Sequence, residues 1–310
     1  MRGSPLIFRK VIKMNEMKIK SYGKINLSLD VTGLREDGYH TLETVMQKIS
    51  LCDEVTVKWI PDDSDDIKIH LDSNKAFLPK DDRNIAYKAA KAMIEQYGEA
   101  FGGGTVDIFL QKCLPVSAGL AGGSGNGAAV LTALNRIWEL KLNTRQLCSI
   151  AAPLGADVPF CVLIQNTRYG CALGSGTGTE LTPIKNKFKK PIILVKPAFG
   201  VSTKEVYQGI DDCEITARPD TEAIMEALKK GQDSVVYDNM VNVLECYTLN
   251  KYDEVKRLKE KIQRETDAEM VLMTGSGPTV FAMFSNMQQA KEACYKMRGN
   301  GYEAYWARTL

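Results

Sequence analysis

Hydrophobic and polar residues alternate along several short stretches in the first half of the chain. Between residues 19 and 31, apolar side chains occupy every second position from Ile25 to Val31, and Lys24 and Asn26 share the opposite, polar face. A period of two predicts a half-buried strand. Similar patterns predict strands over residues 55–59, 67–71 and 105–110.

The acidic loop of residues 62–66 lies between two of these predicted strands. Four aspartates in five residues are typical of a solvated loop, and we expect a hairpin here. Cation binding by the same carboxylates is the open alternative.

Helical spacing of apolar residues appears in other parts of the chain. It predicts helices over residues 84–97 and, after the glycine-rich residues 115–129, over a segment in which Val130, Ala133, Leu134 and Ile137 recur on one side. A basic stretch at 187–190, followed by Pro191, indicates a domain boundary. Beyond it, predicted strands and helices alternate, which favours an α+β sandwich. The strands are 192–195, 270–273, 280–284 and 302–308, and the helices are about 221–229, 252–265 and 287–297.

Composition limits the classes of protein to consider. The chain has 310 residues, enough for two domains, with 44% hydrophobic and 25% charged residues. A formal charge of +2 gives no electrostatic footprint for nucleic acid, and no apolar run reaches the ~20 residues of a membrane span. Eight cysteines without a Cys-x-x-Cys pair predict buried thiols of a cytoplasmic protein, and two histidines exclude a histidine-rich metal centre. Residues 1–16 are basic, with an apolar core too short for a signal peptide, and are expected to be an extension.

The most informative segment is Pro-Val-Ser-Ala-Gly-Leu-Ala-Gly-Gly-Ser-Gly-Asn-Gly-Ala-Ala, residues 115–129. Its glycines let the backbone approach a ligand, and the helix that follows brings unpaired N–H groups and a positive dipole end. Together these features predict a phosphate cradle. The segment has no Gly-Lys-Ser/Thr ending and lacks the Gly-x-Gly-x-x-Gly spacing of dinucleotide folds. The sequence therefore predicts a nucleotide phosphate held mainly by backbone groups.

Three further segments each allow a structural and a functional interpretation. Asp157 precedes Pro159 at a predicted helix start, where a carboxylate could cap the helix or accept a proton in a site. Tyr39 and His40 could read a base or sugar, or could be a half-buried aromatic and a surface histidine. Residues 274–279 could form a Gly-Pro turn or face a phosphate with their hydroxyls and amides.

The combination and order of these segments resemble the GHMP kinases, a superfamily of small-molecule kinases for galactose, homoserine, mevalonate and phosphomevalonate. The resemblance rests on Lys-Ile-Asn-Leu at 24–27, the glycine loop and residues 275–279, and it runs from about Lys18 to Arg308. Gly-Tyr-His at 38–40 and Leu-Gly-Ala-Asp-Val-Pro-Phe at 154–160 are similar to the branch that phosphorylates a cytidine-diphosphate-linked sugar alcohol.

This resemblance implies an α+β, two-domain GHMP kinase fold. Its N-terminal part is expected to be a ribosomal-protein-S5-like α/β domain and its C-terminal part a ferredoxin-like α+β domain. The implied boundaries are an extension over 1–16, an ATP-binding domain over 17–188 and a C-terminal domain over 189–310.

The resemblance also implies a reaction, in which ATP phosphorylates the 2-hydroxyl of 4-diphosphocytidyl-2-C-methyl-D-erythritol on the non-mevalonate route to isoprenoid precursors. ATP and Mg²⁺ are the implied cofactors of a cytoplasmic monomer or weak homodimer without nucleic-acid or membrane partners. Two alternatives stay open: another GHMP kinase, of the homoserine or mevalonate type, and a non-catalytic binding protein on the same scaffold.

Carried over from the resemblance, Asp157 is the implied general base, and Lys24 holds its carboxylate ionised and orients the hydroxyl. Magnesium is expected mainly on the phosphates, with Ser124 as its candidate protein ligand. One difference from the superfamily is Gly125, which stands where a second hydroxyl is usual. The implied substrate contacts are Asn26, Tyr39, His40, Thr203 and Tyr207. The implied ATP contacts are Asn84, Lys112, Pro115, Ala118, Gly119, Leu120, Ala121, Gly122, Gly123, Ser124, Gly125, Asn126, Gly275, Ser276 and Gly277.

Overall fold

The computed structural model describes residues 14–310, which form two compact units. The first unit comprises the described residues up to Ser21 together with Cys52–Cys113 and Gly123–Thr167. The second comprises Tyr22–Leu51, Leu114–Gly122 and Arg168–Leu310. Residues 1–13 of the predicted extension lie outside the described residues, and Glu16 already belongs to the first strand. The boundary at 188/189 stays a prediction.

Two long strands contribute residues to both units. These strands are β1 (Glu16–Leu34) and β2 (His40–Pro61). The following elements are β3 (Ile67–Ser73), α1 (Ile85–Tyr97), β4 (Gly104–Gln111), α2 (Gly122–Ile137), α3 (Thr144–Ala151), α4 (Val158–Asn166), β5 (Cys171–Ser175), β6 (Glu180–Ile184), β7 (Pro191–Lys196), α5 (Thr203–Gly209), α6 (Thr221–Lys230), α7 (Asp233–Asn239), α8 (Glu245–Lys251), α9 (Asp253–Glu265), β8 (Met270–Met273), β9 (Val280–Met283), α10 (Met287–Gly299) and β10 (Glu303–Arg308).

The sheet of the first unit corrects the hairpin prediction. Strand β4 pairs antiparallel with the end of β2 and parallel with β3, so it lies between them. The acidic loop therefore connects strands that are not neighbours. Its exposed residues are held locally, because Asp62 accepts a hydrogen bond of 2.8 Å from the Ser64 amide. Within residues 14–310 no group of three or more histidines, cysteines or carboxylates could hold a metal ion.

The core of the first unit is built around α2, most of which is buried. Trp138, just beyond this helix, stacks on Phe101 at 4.8 Å and meets the edge of Trp59 at 5.6 Å between ring centres. Gly127 lets α1 approach, since a Cβ there would lie 2.6 Å from the Cγ2 of Ile85. The close approach at Gly127 is therefore to a neighbouring helix and not to a ligand.

The second unit contains an antiparallel sheet in the order β10–β7–β9–β8. Helices α9 and α10 pack against it, and α9 does so with Val255, Leu258 and Ile262. This strand order is that of a ferredoxin-like βαββαβ arrangement with extra helices inserted, as predicted. In the same unit β5 pairs with the first half of β2 and with β6.

The four strands and three long helices predicted beyond Pro191 are confirmed to within two residues at their ends. The elements that were missed are short: β5 and β6 have five residues each, and α5, α7 and α8 have seven each. Such short elements contain too few repeats of the hydrophobic pattern for a period to be recognised. All eight cysteines are free thiols. No helix in the described part of the chain is long and apolar enough to cross a membrane.

Candidate functional site

The polar face of β1 carries a buried, hydrogen-bonded pair in the second unit. Lys24 and Asn26 are only 3% and 2% exposed, and the Lys24 ammonium donates to Asn26 Oδ1 at 2.8 Å. Asn26 Nδ2 donates to Thr44 Oγ1 at 2.8 Å, and the Asn26 backbone N–H donates to Thr274 Oγ1 at 3.1 Å. These bonds fix the amide orientation of Asn26, with its oxygen toward the cation.

Two predicted phosphate-facing segments meet beside this pair. Gly119 has φ +69°, and a Cβ there would lie 2.7 Å from the carbonyl oxygen of Thr274. The Lys24 backbone N–H donates to Leu120 O at 3.1 Å. The middle of β1, the loop of residues 115–121 and the loop of residues 274–277 are therefore brought together within the second unit.

The glycine loop also holds two non-glycine residues in left-handed backbone conformations. Ser117 and Ala121 have φ values of 53° and 56°. Such a conformation costs a residue with a Cβ about 1–2 kcal/mol, and backbone strain of this kind clusters at ligand clamps. Helix α2 begins at Gly122 with no acidic residue in its first turn, so its positive dipole end is not neutralised from within that turn. Both features suit a loop that holds anions.

The loop of residues 274–277 is held in place by polar side chains of the second unit. Asn242 Nδ2 donates to the carbonyl oxygens of Met273 and Gly275, both at 2.8 Å. The hydroxyls of Thr203 and Ser276 lie 2.9 Å apart, so one donates to the other. A predicted substrate contact and a predicted ATP contact therefore adjoin each other.

In the first unit, a buried ion pair hydrogen-bonds to the first turns of α2. The Lys112 ammonium pairs with the carboxylate of Asp53, which is fully buried, and donates to Asn126 Oδ1 at 2.8 Å. Asn126 Nδ2 in turn donates to Asp53 at 3.0 Å and to Ser21 Oγ at 3.2 Å. The Cys113 backbone N–H donates to the other Asp53 oxygen at 2.8 Å. This arrangement ties β2 and the end of β4 to the first turns of α2.

Three predicted ATP contacts thus use their side chains within the protein. Lys112 and Asn126 belong to the buried ion-pair network, and Asn84 caps α1. Asn84 Oδ1 accepts from the Ala86 N–H at 3.0 Å, and its Nδ2 donates to Pro79 O at 2.9 Å. Their contacts with ATP stay predictions.

Asp157 lies where the sequence places it, at the residue before α4. Pro159 is in the first turn of that helix, and the Asp157 side chain makes no capping hydrogen bond to it. The capping interpretation is therefore correct for the position and wrong for the side chain. Helix α3 ends at Ala151, and the 3-10 turn over Ala152–Leu154 that follows it contains Pro153, which cannot continue an α-helix.

Of the predicted base-reading residues in the second unit, His40 and Tyr207 lie together and Tyr39 is 68% exposed. The His40 and Tyr207 ring centres are 5.6 Å apart with an angle of 33° between the planes. His40 Nε2 lies 2.8 Å from a carboxylate oxygen of Asp211.

Sequence reasoning missed Thr44, Asp53 and Asp211. Each is a single polar residue without a motif, and each finds its partner far along the chain. The Asp53–Lys112 pair spans 59 positions and the His40–Asp211 pair spans 171.

Two family models match the chain in the order expected for one class of kinase. Residues 84–165 match the GHMP kinases N terminal domain, and residues 215–303 match the GHMP kinases C terminal domain. With the fold and the glycine loop described above, these matches define a GHMP kinase.

Relatives of known name narrow the class further. The 4-diphosphocytidyl-2-C-methyl-D-erythritol kinase of Alkaliphilus oremlandii is 46% identical over 90% of this chain and 92% of its own length. The enzyme of the same name from Clostridium acetobutylicum is 41% identical over 95% of this chain and its full length. A crystal structure of 4-(cytidine 5'-diphospho)-2C-methyl-D-erythritol kinase, 30% identical, covers 94% of this chain and 99% of that one with a TM-score of 0.77. The chain belongs to the 4-diphosphocytidyl-2-C-methyl-D-erythritol kinase family.

Proposed function

We propose that the protein transfers the γ-phosphoryl group of ATP to the 2-hydroxyl of 4-diphosphocytidyl-2-C-methyl-D-erythritol. The products are the 2-phosphate and ADP, in non-mevalonate isoprenoid precursor biosynthesis. The observation that carries the proposal is the buried Lys24–Asn26 pair, held by Thr44 and Thr274 beside the glycine loop. The identity to kinases of that name, over most of each chain, supports this substrate.

Asp157 is proposed as the general base. Its carboxylate takes the proton of the 2-hydroxyl, the hydroxyl oxygen forms a bond to the γ-phosphorus, and the bond from that phosphorus to the ADP oxygen breaks. Lys24 contributes a fixed positive charge where negative charge develops. Its desolvation makes that charge more effective than it would be in water. Asn26 orients the substrate hydroxyl.

The ATP phosphates are proposed to lie against the glycine loop and the first turn of α2. Backbone N–H groups and the helix dipole hold them without a Walker lysine. Mg²⁺ binds few protein ligands and several phosphate and water oxygens, so the Ser124 hydroxyl with the phosphates forms a fitting donor set. When bound, the ion neutralises phosphate charge as the γ-phosphoryl group moves. Asn84, Lys112 and Asn126 are proposed to belong to the same ATP site, together with residues 275–277.

The cytosine ring is proposed to bind at His40, between Tyr39 and Tyr207. The aromatic faces supply stacking, and the histidine supplies a polar contact to the base edge. Thr203, hydrogen-bonded to Ser276, adjoins the substrate. Homoserine and mevalonate have no base, so a kinase for either would leave this cluster without a function.

The test is a comparison of three alcohols. Purified protein is incubated with ATP, Mg²⁺ and 4-diphosphocytidyl-2-C-methyl-D-erythritol, homoserine or mevalonate, and ADP release is followed. Release with the cytidine compound alone supports the proposal. Release only with homoserine or mevalonate contradicts the substrate, and binding of the cytidine compound without any ADP release indicates a non-catalytic protein.

A further inference from the structure

In the second unit, the contact of His40 with Asp211 determines which ring nitrogen of His40 is the hydrogen-bond donor. Its side chain is 8% exposed, and its Nε2 lies 2.8 Å from Oδ1 of Asp211. A carboxylate only accepts hydrogen bonds, so Nε2 must carry the proton of this contact. The bond therefore fixes the tautomer of a neutral ring, because which ring nitrogen is protonated follows from the bond the other makes.

The other ring nitrogen is then an acceptor. In a neutral imidazole protonated at Nε2, Nδ1 carries a lone pair and no hydrogen. Among residues 14–310, no hydrogen-bond donor contacts Nδ1 of His40. Tyr207 packs beside the ring at 5.6 Å between centres and limits its rotation. The cluster of His40, Asp211 and Tyr207 thus presents one oriented acceptor.

An oriented acceptor distinguishes the two common pyrimidines. Cytosine carries an amino group, a donor, where uracil carries a carbonyl oxygen, an acceptor. An acceptor at Nδ1 pairs with the amino group, and two acceptors facing each other leave both without a partner. A site built to hydrogen-bond one group rejects an analogue that lacks it more strongly than a shape difference alone would.

We infer that Asp211 is a positioning residue that sets the preference for cytosine over uracil, by holding His40 in the tautomer with Nδ1 as acceptor. This inference rests on the proposed function, since it requires that the base of the substrate binds at His40. Asp211 touches neither the substrate nor the reacting atoms in this role. Its effect passes entirely through the ring of His40.

Removing Asp211 frees the imidazole to protonate at Nδ1 instead. That tautomer has an N–H donor at Nδ1. The donor can bond the carbonyl oxygen of uracil and cannot bond the amino group of cytosine. Asp211→Ala is therefore expected to lower the preference for cytosine about 10-fold, through the KM of the cytidine substrate, with kcat nearly unchanged. Asp211→Glu is expected to restore most of the preference. Asp212→Ala is the matched control, because it removes an exposed carboxylate at the next position.

The first measurement compares binding of CDP and UDP by calorimetry at about pH 8. A saturating ATP analogue occupies the ATP region, so that only the substrate region responds. The unsubstituted protein and Asp212→Ala should prefer CDP by about 10- to 100-fold. An unchanged preference in Asp211→Ala overturns the inference. Kinase assays with the cytidine and uridine forms of the substrate should show the same ratios.

The second measurement is the ¹⁵N NMR spectrum of the histidine rings, and the chain has only two histidines. His70 approaches Asp107 through Nδ1 at 2.6 Å, the opposite nitrogen from His40, so the two rings should show opposite tautomers. His70→Gln assigns the signals. In Asp211→Ala, only the His40 signals should change toward a mixture, and an unchanged His40 tautomer overturns the inference. Failure of ADP release with CDP preference intact contradicts the proposed reaction alone.

Discussion

The buried ion pair in the first unit gives the sharpest test of the energetics. Lys112→Met removes the cation and keeps most of the aliphatic volume, which deprives the fully buried Asp53 carboxylate of the Lys112 ammonium. Breaking a buried pair from one side costs about 3–5 kcal/mol, because the remaining charge stays desolvated. Asp53 keeps two donors, the Cys113 N–H at 2.8 Å and Asn126 Nδ2 at 3.0 Å. We therefore expect a loss at the lower end, about 3 kcal/mol.

The partner substitution separates charge from packing. Asp53→Asn alone leaves an ammonium without its carboxylate and should cost a similar amount. In the double variant neither member of the pair is charged, so its loss should be smaller than the sum of the two single losses by about 2–3 kcal/mol, the coupling energy of the pair. Replacing both members of a buried pair is often close to neutral.

The assay uses the tryptophans of the first unit. Trp59 and Trp138 are fully buried there, whereas Trp306 is 43% exposed and belongs to the second unit. In a Trp306→Phe background, urea unfolding followed by tryptophan fluorescence therefore reports the first unit. A loss below about 1 kcal/mol for Lys112→Met, or strict additivity in the double variant, would refute the reasoning.

Three other outcomes follow from the same structure. Asp157→Asn should bind ATP and the cytidine substrate normally in calorimetry and lower kcat about 1000-fold, and an unchanged kcat removes Asp157 from the base role. Gly119→Ala should raise the KM for ATP about 10-fold, because φ is +69° and the added Cβ would lie 2.7 Å from Thr274 O; an unaffected KM would separate this turn from nucleotide binding. Burial raises the pKa of Cys171 to about 12, so iodoacetamide at pH 8 should label the exposed Cys113 first and Cys171 only on unfolding, as read by mass spectrometry.

The elements that sequence predicted well are those whose own residues carry the pattern. Strand β1 shows its position in the alternation from residue 24 to 31, and α2 shows its apolar side in the spacing of its residues. The prediction that β1 is only half-buried was wrong, because both of its faces are buried over residues 23–29. The sheet order of the first unit was not accessible in this way. A period of two identifies a strand but not its neighbour, so the insertion of β4 between β2 and β3 appeared only in the structure.

The residues of the candidate site show the same difference between local patterns and contacts that are distant in sequence. Residues inside motifs, such as Lys24 and Gly119, were identified from sequence because spacing and backbone demands are local. Asp53 and Asp211 act on motif residues across 59 and 171 positions, and no local pattern connects such pairs. The sequence therefore predicts the residues inside motifs better than the distant polar residues that hydrogen-bond to them.

The two asparagines show why orientation matters for the chemistry. Asn126 uses both hydrogens of Nδ2, on Asp53 and Ser21, so its amide stays within the ion-pair network. The Asn26 oxygen accepts from Lys24 and from Thr274 Oγ1, while among residues 14–310 its Nδ2 has one bond, to Thr44. One N–H of Asn26 is thus left as a donor. A donor suits the oxygen of the attacking hydroxyl, because that oxygen gains negative charge as its proton leaves, and the bond strengthens toward the transition state.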